Sequence, residues 1–338
     1  MSTVRTGHVR RVALTVAACA LPSLLAACGG HSGGGALPPP NPYSSTPAAS
    51  ASASATGPTS PLTGLPVHGH DKATRPAFGV GVSGSDVSGL DNADIVYEEI
   101  SDPVRYIAVY QSHDSDRIGP LGQGRSTDPQ VLGMLHGGLG YVSMRSGPHS
   151  QMSTMHVADL GYPAHAGAYK SSGGHVYTST KGMYSAIGKL HDRPHQPPEP
   201  FTFASDGKPL ASKGMKKATK LRVSVPGEGT QTWSYAKGAW RRGGPGPHVS
   251  VANVIVQHTD YKATNIAHGG VTAPKAKVFG KGACEVASGP HSAKGRWVRH
   301  AADALMLYVD GDSFPFRFAP GRTWVLLAPP GTSVKATS

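Results

Sequence analysis

Short apolar runs broken by glycine, serine, aspartate and proline set the pattern of residues 77–144. AFGVGV (77–82), ADIVYEEI (93–100) and RYIAVYQ (105–111) are rich in β-branched and aromatic residues, the composition of strands. In RYIAVYQ, Tyr106, Ala108 and Tyr110 face one way and Ile107 and Val109 the other. Both faces are apolar, which predicts a central strand covered on both sides. Asp128 followed by Pro129 predicts a helix start, with the aspartate as N-cap and the proline in the first turn. Val131, Met134, Leu135 and Leu139 then recur at helical spacing, interrupted by Gly133, Gly137 and Gly138. GYVSM (140–144) predicts the next strand, and Ser179 caps a helix with Met183, Ile187 and Leu190 on one face.

Past residue 220 the pattern changes. LRVSV, TQTWSYAKGAWRR, VANVIVQHTDY, AKVFGKGACEV, GRWVRH, DALMLYVDGDSFPFRF and TWVLLAP follow one another with turn signals between them, and no helical period intervenes. Lys237-Gly238, Gly280-Lys281-Gly282 and Asp310-Gly311-Asp312 have the composition of hairpin tips. The fold class expected is α+β: an α/β-like N-terminal part, residues 61–212, and a mainly antiparallel β part, residues 221–332. The basic run KGMKKATKLR (213–222) between them is expected to be a solvated connector.

The first sixty residues are of another kind. Arg5, Arg10 and Arg11 precede an apolar run of about fifteen residues, VALTVAACALPSLLAA. That is shorter than the roughly 20 residues a membrane-spanning helix needs, and positive, apolar and small residues come in the order of a secretory signal. Leu25-Ala26-Ala27-Cys28 resembles the lipobox of bacterial lipoproteins, which implies cleavage after residue 27 and diacylglycerol on the Cys28 sulfur. The flanks of Arg10-Arg11 fit a twin-arginine export signal poorly. From 28 to 60 the chain is almost entirely Gly, Ser, Ala and Pro, with too little apolar surface to offset its ordering entropy, so it reads as a disordered tether. The expected location is therefore outside the cytoplasm, on the outer face of the cell membrane.

Charge narrows the choice of partner. The full chain carries +12, and loss of the three signal arginines leaves +9. Outside a cell, a basic surface suits anionic envelope polymers, a lipid surface or an acidic envelope protein. Nucleic acid is not expected, because the basic residues are scattered and no zinc-finger, RNP or helix-turn-helix pattern is present. Cys19 leaves with the signal and Cys28 carries lipid, so Cys284 stands alone, without an internal disulfide and expected as a small core residue.

The series PLTGLPV (61–67), RPAFGV (75–80), ADIVYEE (93–99), VRYIAVYQS (104–112), RIGPLGQGRS (117–126), GYVSMRSGP (140–148), GGHVYTS (173–179), VANVIVQ (251–257) and PGRTWVLLAP (320–329) is similar to the YerB-like lipoproteins. These form a bacterial family whose domain of unknown function has an N-terminal and a C-terminal part. The resemblance covers nearly all of the body in order and implies a lipoprotein of a Gram-positive type of envelope, with no activity to carry over. Three departures stand out. The family's G-P-x-R-S-x-R segment keeps only Arg125, with Gly122 at the first arginine position. Its Pro-His-Asn is replaced by Gly174-His175-Val176, and an asparagine usual after the first strand is missing near Ser83 and Ser85.

Asp94 and Glu98 are four residues apart on one strand and share a face, and Arg105 opens the next strand. Arg125 follows a glycine-rich bend whose backbone N–H groups could help to hold an anion. One expectation is a shallow ligand site in which Asp94, Glu98, Arg105, Arg125 and His175 converge, with arginine gripping a carboxylate or phosphate. The competing expectation is that Glu98 merely pairs with Arg105 across neighbouring strands. A hydrolase or transferase acting on cell-wall glycans would use Glu98 or Asp94 with Arg125. No catalytic set, metal site or cofactor is expected. Among the histidines, His149, His156, His165 and His175 lack paired-ligand spacing, and Ser143 and Ser146 lack a nucleophile elbow, SGPHS (146–150) reading as a turn.

Overall fold

The computed structural model describes residues 57–338 except 85, 102–103, 145, 211, 213 and 264–273. The signal segment, Cys28 and nearly all of the tether lie outside the described residues.

The β-branched runs pair into one mixed sheet of eleven strands among the described residues. From edge to edge its order is Leu307–Val309, His291–Arg299, Gly280–Ser288, Asn253–His258, Thr323–Ala328, Ile95–Glu99, Arg105–Tyr110, Phe78–Ser83, Gly138–Gly140 and Ala158–Asp159, with Lys216–Lys217 joined to His291–Arg299. The two sequence halves meet at its centre, where Ile95–Glu99 runs parallel to Thr323–Ala328 and antiparallel to Arg105–Tyr110. All three strands are buried along their whole length, as their two-faced apolar pattern requires.

A second, antiparallel sheet takes Ser250–Val251, Ala239–Gly243, Gly229–Ala236, Lys220–Val225 and Ser333–Thr337 in that order. Its inner residues Leu221, Val223, Trp233 and Trp240 pack on Val96, Ala108, Val254 and Trp324 of the large sheet. The opposite face of the large sheet carries Ile95, Tyr97, Ile107 and Val109. It is closed by Val131 and Leu132 of the helix Thr127–Gly133, together with Phe316 and Phe318. Helices precede residue 189 and strands follow, so the expected α+β class holds. No helix among the described residues is long and apolar enough to cross a membrane.

Several local expectations hold. Ser179 Oγ accepts the Gly182 N–H at 3.1 Å and caps Thr180–Gly188, which buries Met183 and Ile187. Lys237 and Gly238, with φ of 51° and 81°, turn the hairpin between Gly229–Ala236 and Ala239–Gly243. Cys284 is a buried core residue whose thiol is pushed up by burial.

Others are corrected. The helix expected from Asp128 begins at Thr127, and the Asp128 carboxylate serves Arg105 rather than capping. Leu139 belongs to the strand Gly138–Gly140, so GYVSM is a strand only at its first residue. SGPHS opens the helix Ser146–Thr154 instead of forming a turn. Gly280-Lys281-Gly282 is the start of a long strand, and the reversal comes at Gly289, with φ of 53°. Gly282 is small for a packing reason: a Cβ there would come within 2.4 Å of the Trp297 indole nitrogen.

Candidate functional site

The expected convergence of Asp94, Glu98, Arg105, Arg125 and His175 does not occur: strand alternation puts Glu98 and Arg105 on opposite faces of the large sheet, and His175 belongs to a separate two-stranded hairpin. Glu99, not Glu98, lies opposite Arg105 in the register. Arg105 Nη1 donates to Glu99 Oε2 at 3.0 Å, and its guanidinium grips Asp128 through both oxygens at 2.6 and 2.9 Å. Burial works against the Arg105 charge, but Asp128 and Glu99 outweigh it and hold the proton more firmly than usual. Thr127 Oγ1 donates to the other oxygen of Glu99. Arg125 approaches the same group, with Nη1 at 4.0 Å from Glu99 Oε2. Burial, and then the neighbouring Arg105, lower its pKa. The backbone N–H of the glycine-rich bend that was expected to hold an anion is taken by a residue of the chain itself, Asp128 Oδ2, at 2.8 Å from the Arg125 nitrogen.

Glu98 points the other way, into the space between the two sheets. Its Oε1 accepts from Gln231 Nε2 at 2.7 Å and Arg242 Nη2 at 3.0 Å, and its Oε2 accepts from Trp324 Nε1 at 2.9 Å. Both members of the Glu98–Arg242 pair are at most 2 % exposed. Burial pushes the Glu98 carboxyl above its ordinary range, and Arg242 pulls against it, followed by Trp324 and Gln231. Trp324 is flanked by Tyr106 and Trp233 at 5.6 and 5.7 Å, so the pair is sealed by rings. His175 lies far along the chain from these contacts, exposed at the turn of the hairpin Tyr169–Ser172 and His175–Thr178.

Asp94 leads to the site that sequence reasoning missed. It stands just before Ile95–Glu99, beside the exit of the antiparallel Arg105–Tyr110, and its carboxylate gathers that exit. It accepts the backbone N–H of Gln111 and Ser112 at 2.5 and 2.7 Å and the Ser112 hydroxyl at 2.6 Å. His113 Nδ1 sits 2.6 Å from Asp94 Oδ1. A carboxylate on Nδ1 fixes the ring and leaves Nε2 to accept a proton or to donate one when the ring is charged.

His113 lines an open cleft of about 760 Å³ at this end of the large sheet. Because Thr323–Ala328 runs parallel to Ile95–Glu99, Arg322 enters beside Asp91 and Asn92. The small sheet supplies Arg241, Arg242, His248 and Ser250. Arg322 Nη2 donates to the Ser250 carbonyl at 2.6 Å and ties the two sheets at the cleft. Burial lowers the Arg322 pKa, with Asp91 and Asp94 pulling it back. Arg242 is already neutralised by Glu98, whereas Arg241 is exposed and has no acidic partner among the described residues. Asp91 is the single carboxylate among the described residues that line the cleft. The arrangement presents two arginines and two histidines to a ligand, which is the chemistry of an anion site. Among the described residues no group of histidine, cysteine and carboxylate has the geometry of a metal site.

Residues 62–192 match the family model described as protein of unknown function (DUF3048) N-terminal domain, and residues 223–325 match its C-terminal domain. The chain belongs to the DUF3048 family. A solved structure, the YerB protein from Bacillus subtilis, has the same fold with a TM-score of 0.64 at 17 % identity, covering 82 % of this chain and 99 % of that one. No curated protein matches. The two DUF3048 parts share the central sheet and the cleft: Asp91 and His113 come from the first, Arg241, His248 and Arg322 from the second.

Proposed function

We propose that this protein is a bacterial envelope lipoprotein, held by lipid on Cys28 to the outer face of the membrane, and that its body binds a phosphate-bearing anionic envelope polymer in the basic cleft. The observation that carries the binding reading is the convergence of Arg241, Arg322, His113 and His248 around a single carboxylate, Asp91. The lipobox-like Leu25-Ala26-Ala27-Cys28 and the tether behind it support the anchor. A guanidinium takes two phosphate oxygens at once, and a polymer repeats the contact along its length. A protein partner would have to offer carboxylates or phosphates to the same groups.

The glycan hydrolase reading has an opposing geometry. Arg125 is on the Glu99 face of the sheet, Glu98 is sealed between Arg242, Gln231 and Trp324, and Asp94 is fully engaged. Paired carboxylates facing an open cleft, which glycoside cleavage uses, are not formed by Asp94 and Glu98.

The test is titration of full-length protein in detergent with a purified glycerol-phosphate polymer at low salt. A hydrogen bond to a charged group contributes about 1.5–3 kcal/mol, so Arg241→Ala is expected to weaken binding tenfold or more. Its melting temperature should stay within a degree or two of wild type, because the side chain is exposed. Binding equal to wild type in Arg241→Ala would remove the cleft from the account.

A further inference from the structure

A second cavity lies away from the basic cleft, where the edge of the small sheet passes over the large one. It measures about 360 Å³, within the range of about 300–1,000 Å³ common to ligand pockets. One wall is aliphatic, with Leu221, Val334 and Ala336 from the strands Lys220–Val225 and Ser333–Thr337. Val256 adds to it from the large sheet, and its charged lining is Lys216, Lys294 and Glu285.

We propose that this crevice binds the hydrocarbon chain of a single-chain anionic amphiphile, with its carboxylate or phosphate head against Lys216 and Lys294. The proposal is independent of the cleft reading. Three features select the ligand. The lining is mainly aliphatic, and besides the lysines its polar members among the described residues are Ser292 and Glu285, so most of the inserted part meets apolar surface. The two lysines have no carboxylate within ion-pairing distance among the described residues, although Glu285 is the cross-strand neighbour of Lys294. Glu285 is bonded instead to His258 Nε2 at 2.5 Å. Finally, the volume suits one chain and not the face of a bilayer, so the ligand is a free monomer. Lysine stems can lie along apolar surface while their ammonium groups stay at its rim.

The experiment is calorimetric titration of full-length protein in detergent-free buffer containing amphipol, with the sodium salts of hexanoate, octanoate, decanoate and dodecanoate below their micelle concentrations. Transfer of a methylene is worth about 0.8 kcal/mol, so affinity should rise about fourfold per added carbon until the crevice is full. Dodecylammonium should bind at least tenfold more weakly than dodecanoate. Ala336→Trp, a filling substitution at an exposed edge-strand position, should weaken dodecanoate binding at least tenfold and leave glycerol-phosphate binding unchanged. Lys216→Glu/Lys294→Glu should weaken the carboxylate and favour the ammonium. If Ala336→Trp fails to fold, the lysine variant and the wild-type chain-length series decide. Affinity that ignores chain length, equal binding of both head groups, or binding to anionic vesicles but not to dodecanoate would each overturn the proposal.

Discussion

Glu98→Ala is expected to lower the stability of the folded body by about 3–5 kcal/mol, the range for breaking one side of a buried ion pair. The substitution strands three donors at once: the Arg242 guanidinium, the Gln231 amide and the Trp324 indole N–H. Arg242, with its side chain only 2 % exposed at the cleft and also bonded to the Pro245 carbonyl, has little freedom to turn to water. Equilibrium unfolding in urea gives the value. The double variant Glu98→Leu/Arg242→Met removes both charges and should recover the part of the loss that comes from the stranded guanidinium, while the Gln231 amide and the Trp324 N–H, still without their acceptor, keep it below wild type. A loss below about 1 kcal/mol in Glu98→Ala would mean that Arg242 finds another partner and that the pair does not brace the floor of the cleft.

Arg105→Ala should be comparably severe, again about 3–5 kcal/mol, on the opposite face of the same sheet. Without the guanidinium, Glu99 and Asp128 are left as two buried carboxylates facing one another. The nearest remaining cation, Arg125, is 4.0 Å from Glu99. Arg105→Lys should recover only part, because an ammonium cannot hold both Asp128 oxygens in the forked geometry. Urea unfolding of the two variants side by side tests this. Equal stability of Arg105→Lys and wild type would show that charge alone matters and that the bidentate grip does not.

These two clusters explain where sequence reasoning succeeded and where it stopped. The central strands were readable because β-branched and aromatic residues fill both faces of RYIAVYQ and its neighbours, a pattern only a covered strand satisfies. The partners of Glu98 and Glu99 were not readable. Adjacent strand residues face opposite ways, so a one-residue change of register exchanges every partner, and nothing local fixes that register. Asp128 looked like a helix cap because a cap and a buried ion-pair partner use the same residue in the same place. Gly282 looked like a turn because glycine marks both a tight bend and a close packing contact. The cleft residues carry no spacing signal at all. Arg241, His248 and Arg322 meet His113 only because Thr323–Ala328 returns parallel to Ile95–Glu99 and the small sheet folds over that end. The bond between Asp94 and His113 was the nearest clue, two polar residues closing the ends of predicted neighbouring strands.

The most direct test of the anion-binding cleft is to follow the imidazole proton resonances of full-length protein during titration with the glycerol-phosphate polymer, using His113→Asn and His248→Asn to assign the two cleft signals. Saturable shifts confined to His113 and His248, with exposed His175 unmoved, are the predicted result. Shifts spread evenly over the exposed histidines, or none at His113 and His248, would contradict it.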